Sequence, residues 1–174
     1  MKAFYTELIN RFKNATIKNS FTTKGLPFVK FIDLYAGQDY NENAFETHLF
    51  PAIFIKWTID YKPETPIATI TLRLAYEQLR DTSSISRTTD ESLRFLDFIE
   101  QVDVIVKSIE TENTGKLTLL SEDLNIEDTI VDVFTLVYNC TYSGKKNTQQ
   151  KEILQGSIDA LTTESSLITK LLID

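Results

Sequence analysis

The chain holds one histidine, His48, and one cysteine, Cys140. Any mechanism that needs an imidazole base or a thiolate therefore has a single residue to draw on. A Ser-His-Asp arrangement would have to recruit His48, and no serine stands in a Gly-x-Ser-x-Gly turn. His48 has no second histidine and no neighbouring cysteine with which to share zinc. Gly25, Gly37, Gly115, Gly144 and Gly156 are too scattered to form a loop that cradles phosphate. Acidic residues gather at Glu122, Asp123, Glu127, Asp128 and Asp132. Their spacing lacks the alternating Asp/Asn ligands and the turn glycine of a calcium loop, so a solvated acidic loop is the plainer reading. Pairs of carboxylates for glycoside chemistry are easily found by chance among 25 acidic residues, and no aromatic cleft pattern accompanies any of them. Lys145, Lys146 and Lys151 make the one local basic cluster, with Tyr142 near enough to stack on a base; a charged turn after a strand explains them as well. No catalytic, cofactor-binding or metal-ligating residue is assigned, and no cofactor is expected.

The elements that carry these residues are easier to read. Residues 50–61 alternate, with Ile53, Ile55, Trp57, Ile59 and Tyr61 on one face. After a short link through Pro63 and Pro66, residues 67–76 do the same with Ala68, Ile70, Leu72, Leu74 and Tyr76. Period-two alternation with a short connection predicts a long antiparallel hairpin with one apolar face. Residues 2–18 predict an amphipathic helix with Phe4, Leu8, Phe12 and Ala15 on one stripe. Residues 90–110 predict a second helix, with Phe95, Phe98, Ile99, Val102, Ile105, Val106 and Ile109 at three- and four-residue steps and a capping box of Thr88 and Glu91. Residues 28–35 read as a strand, 36–46 as a loop, and 81–89 as an exposed Ser/Thr-rich link. Leu117, Leu119 and Leu120 offer a short strand, residues 121–128 an acidic loop, and residues 129–142 a last strong strand. The fold class is α+β: an antiparallel sheet with a long central hairpin, covered on one face by two helices. Residues 1–145 form this domain, and residues 146–174 a C-terminal extension, a strand or arm followed by a short helix.

At 174 residues, with 42% hydrophobic and 25% charged residues, the chain can bury a core without metal or disulfide support. Its net charge of −7 disfavours sequence-specific nucleic-acid binding, which needs clustered Lys and Arg. No apolar run approaches the length of a membrane span, and no signal peptide is visible, so no membrane partner is expected. A lone Cys140 in an apolar run reads as a small buried hydrophobe. Phe54 interrupts the polar face formed by Ala52, Lys56, Thr58 and Asp60, and Val131, Val133 and Val137 give the last strand apolar residues on its second side. Strands apolar on both sides need a second covering layer or a partner subunit. Phe54, Val131, Val133, Val137, Leu171 and Leu172 are therefore the candidate subunit or partner contacts.

Two segments carry a resemblance: Asp33-Leu34-Tyr35-Ala36-Gly37-Gln38 and Phe50-Pro51-Ala52-Ile53-Phe54-Ile55. With the order helix, strand, long hairpin, helix and closing strand, residues 1–142 resemble the tail-terminator or tail-completion proteins of tailed phages and prophages. The resemblance implies a non-enzymatic structural protein of the tail end or head–tail junction. It also implies self-assembly into a ring, commonly a hexamer in that family, that caps the tail tube and meets tail-tube and neck proteins. An acidic lumen would let DNA pass without adhering. The implied location is the bacterial host cytoplasm, and the virion after assembly. Residues 146–174 have no counterpart in the resemblance. The competing reading is a non-viral interaction or adaptor domain that binds a partner through its sheet edge.

Overall fold

The computed structural model describes residues 1–40, 49–76, 82–125 and 132–145. The two alternating runs form β2 (Ala52–Asp60) and β3 (Ile67–Tyr76), paired antiparallel with Ile55 opposite Leu72 and Trp57 opposite Ile70. On the far side of β3 lies β5 (Asp132–Thr141), and beyond it β4 (Thr118–Asn125), both antiparallel to their neighbours. The other edge is β1 (Phe31–Leu34), which runs parallel to β2. The sheet order is β1-β2-β3-β5-β4, so the expected antiparallel sheet contains one parallel pair.

Directly opposed residues share a face, which sorts the side chains into two sets. Ile55, Leu72 and Leu136 form one row of the first face, and Ile53 with Leu74 another. All five are buried in one core with Phe4, Leu8, Phe12, Phe21, Phe98, Val102 and Ile105. Those residues come from α1 (Lys2–Lys13), α2 (Ala15–Thr23) and α4 (Arg94–Lys107), so three helices contribute to the covering layer. Each fully buried side chain contributes about 1.5–3 kcal/mol by transfer, before ordering costs. The chain is an α+β protein.

The single N-terminal helix expected over residues 2–18 is two helices. Asn14 is extended (φ −65°, ψ 132°), and its Oδ1 accepts the Thr16 and Ile17 N–H groups at 2.8 and 3.4 Å, capping α2. Ala15 begins the new helix and is exposed, not part of the stripe. The helix expected over residues 90–110 is likewise broken, at Leu93, into a single turn α3 (Thr89–Ser92) and α4. Thr88 makes no side-chain cap bond to α3; its hydroxyl lies 3.3 Å from that of Ser86. Strand β4 is longer than the sequence pattern predicts and takes in Glu122 and Asp123, which that pattern assigns to an acidic loop. An outer strand keeps one side in water and tolerates such charges.

Contacts divide the chain into two compact units, Met1–Tyr142 and Ser143–Asp174. Residues 146–174, read from sequence as an arm and short helix, lie outside the described residues. No helix among the described residues is long and apolar enough to cross a membrane.

Candidate functional site

The helices leave the second face of the sheet to the loops, and this face holds the three contact candidates that lie among the described residues, Phe54, Val133 and Val137. Phe54 does not break an exposed polar face. It is fully buried, in a second cluster with Phe50, Ala52 and Ala75, its ring 6.4 Å from that of Phe31 at 67°. The chain between β1 and β2 brings Tyr35, Leu49 and Phe50 onto this end of the face. An apolar residue among polar neighbours is there because the strand is covered on both sides at that point. Val133 is also fully buried, whereas Val137 is half-buried opposite Thr71 and Ser121. Val131, Leu171 and Leu172 lie outside the described residues, as do His48, Lys146 and Lys151. Tyr142 is buried, so its ring is not presented to a base. Among the described residues no group of three or more His, Cys, Asp or Glu side chains could hold a metal ion.

The segment that carries the resemblance builds an ion pair on this face. Gly37 adopts φ +83°, a left-handed turn that suits glycine. Gln38 ties the turn together: its Oε1 accepts the Ala36 N–H at 2.7 Å, and its Nε2 donates to the Leu34 carbonyl at 2.8 Å. One 3-10 turn (Gln38–Tyr40) then aims Asp39 at Arg73 of β3. Asp39 is 1% exposed, and its Oδ2 accepts from Arg73 Nε at 2.7 Å. Arg73 Nη2 approaches the same oxygen to 2.6 Å without hydrogen-bond alignment, and Oδ1 has no hydrogen-bond partner among the described residues. The rings of Tyr35 and Tyr40 stand 5.1 and 5.7 Å from the guanidinium carbon. Each such contact contributes about 0.5–1 kcal/mol. The arrangement clamps a loop to the sheet.

On the covered face, the Tyr138 hydroxyl donates to Asp103 Oδ1 at 2.8 Å, and Lys107 Nζ holds Oδ2 at 2.7 Å. Burial first, and then the bond to the Asp103 carboxylate, push the Tyr138 phenol far above its ordinary range. Burial likewise raises the Cys140 thiol, which makes it a poor nucleophile. Both groups belong to the core.

The two edges of the sheet differ in chemistry. Beside β1, helices α1 and α2 leave a groove of about 320 Å³ with Phe12, Phe28 and Ile32 in its wall and Lys13, Lys18 and Lys30 around it. Lys18 Nζ lies 5.3 Å from the Phe28 ring centre. Among the described residues no side-chain carboxylate lines the groove. These lysines are distant in sequence, so inspection of local basic runs missed them; the alternation of Lys with Phe and Ile around residues 28–32 was the available signal. The β1 edge itself is closed near its end, because the Leu34 N–H donates to Asp33 Oδ1 at 2.8 Å. At the opposite edge, β4 exposes Leu120 (55%) and Leu124 (46%) together with Glu122 and Asp123. Leu120 is the extra residue of a bulge, since Leu119 pairs with Tyr138 and Ser121 with Val137. No family model matches this sequence, and no curated protein is significantly similar to it.

Proposed function

We propose that this chain is a non-enzymatic structural subunit of the tail-terminator or head–tail junction type, one that assembles with copies of itself into a closed ring at the end of a phage tail. The observation that carries the reading is the pair of unlike edges on opposite sides of one sheet: a cationic, apolar groove at β1 and an acidic strand with exposed leucines at β4. Unlike surfaces on opposite sides associate head to tail, and head-to-tail contacts close into rings when the rotation between subunits permits. The resemblance of residues 1–142 supplies the biological setting, and the net charge of −7 suits a ring through which DNA passes without adhering.

The test is the mass of the purified full-length chain in solution across micromolar concentrations, with electron microscopy of the same sample. A single species at a whole multiple of 19.9 kDa, seen as annular particles, is the expected result. A strict monomer at every concentration, or open-ended filaments, refutes it. The adaptor reading draws on the same groove, which also suits an acidic segment of a different protein; a monomer that binds such a segment would favour that reading instead.

A further inference from the structure

We propose that the ring contact is formed by the β4 edge of one copy docking into the lysine groove beside β1 of the next. The inference rests on the ring reading and names the surfaces that would build it. Strand directions fix the geometry: β1 and β2 run one way, β3 the other, β5 with β2, and β4 against it. A neighbour that continues the sheet therefore presents its β4 antiparallel to β1. Full ladder extension is blocked near Leu34, whose N–H and carbonyl are already taken by Asp33 and Gln38. The contact is consequently made by side chains: Leu120 and Leu124 enter the groove, and Glu122, which shares the helix-covered face with Leu124, meets Lys13 and Lys18, while Asp123 on the opposite face adds to the negative charge of the edge.

Charge complementarity commits the groove to this occupant. In a chain with an excess of seven negative charges, the groove carries Lys13 and Lys18 on its rim, and among the described residues no side-chain carboxylate lines it. The β4 edge sets two adjacent carboxylates between two exposed leucines on an otherwise short strand. Like-charged pairings of these surfaces, groove to groove or strand to strand, are repelled, so a symmetric two-fold dimer through either one is disfavoured. The polarity that a ring requires follows from that repulsion.

The experiment uses three full-length forms: wild type, Lys13→Glu/Lys18→Glu, and Glu122→Lys/Asp123→Lys. Lys13, Glu122 and Asp123 are exposed and Lys18 is half-buried, so thermal melts at high dilution should confirm that the variants remain folded. Each variant alone is expected to lose association at least tenfold, measured by light scattering. Mixing the two should restore it, because each supplies the charge the other now lacks. A third variant, Leu120→Ser, should weaken association without changing its dependence on salt. If wild type forms rings and both charge reversals leave them intact, this contact is wrong while the ring reading stands. If wild type never associates, both fail. If monomeric wild type instead takes up inorganic phosphate or an acidic peptide at the groove, with Lys13→Glu/Lys18→Glu abolishing it, the groove serves a foreign anion and the proposal is overturned.

Discussion

Replacing Asp39 with alanine should cost the fold heavily on the second face of the sheet. The substitution leaves the Arg73 guanidinium, whose side chain is 11% exposed, between two tyrosine rings with no counterion in reach among the described residues. Breaking a buried pair by removing one partner costs about 3–5 kcal/mol, because the other charge stays desolvated. Arg73 keeps some access to water, so the lower end, about 3 kcal/mol, is the expectation. For a domain of this size that lowers Tm by roughly 6–12 °C. Arg73→Leu alone should cost a similar amount by stranding the fully buried Asp39. The double variant Asp39→Ala/Arg73→Leu should be milder than the sum of the two, since neither charge is left behind. Urea melts followed by circular dichroism, all at one protein concentration so that assembly is held constant, give the three values. Single-variant costs below about 1 kcal/mol, or strict additivity, would show that the pair does not clamp the loop to β3.

Two further outcomes are expected. Phe54→Ala should destabilise the isolated subunit by about 3–5 kcal/mol through the cavity it leaves in the second cluster; a variant as stable as wild type that fails only to associate would return Phe54 to the surface. Alkaline stability should fall above about pH 10, where tyrosines of the unfolded chain ionise while the raised phenols of Tyr138, Tyr76 and Tyr5 keep their protons. The native state then binds more protons than the unfolded state, so this stabilisation is complete below pH 10 and is lost as pH rises. Tyr138→Phe should flatten the dependence in urea melts between pH 8 and 11.5. Titration of all seven tyrosines near pH 10 in the native absorbance spectrum would refute the burial argument.

The hairpin and the second long helix were legible because their apolar residues recur at the period of the element they form. Periodicity says less about where an element stops. The stripe of Phe4, Leu8 and Phe12 runs on to Ala15 in register, and the break came from Asn14, a residue suited to capping that the pattern of apolar positions does not weigh. Glu122 and Asp123 suggested a loop, whereas an outer strand accommodates them. Alternation also carries no information on strand direction, so the parallel pairing of β1 was hidden. Nothing in the sequence separates Arg73 from Lys56, another charge on the polar side of a strand; only the fold lays Asp39 against it. The groove was the least legible feature, since Lys13, Lys18 and Lys30 meet only when two helices and a strand have packed.

The direction of β1 bears on the order in which the sheet is built. β2 and β3 can zip outward from their short link, one pair after the next. β1 cannot grow that way from β2: the parallel pairing sets Ala52 beside Phe31, so the chain leaving Leu34 must come back by the length of β1 before β2 starts, and Asp39 in between is fastened to Arg73. Closing that longer loop costs only roughly 1 kcal/mol more than closing the hairpin link. The greater obstacle is that Arg73 must already be held in a formed hairpin to receive the loop. The edge beside the groove is thus the part of the sheet that arrives late and leaves early.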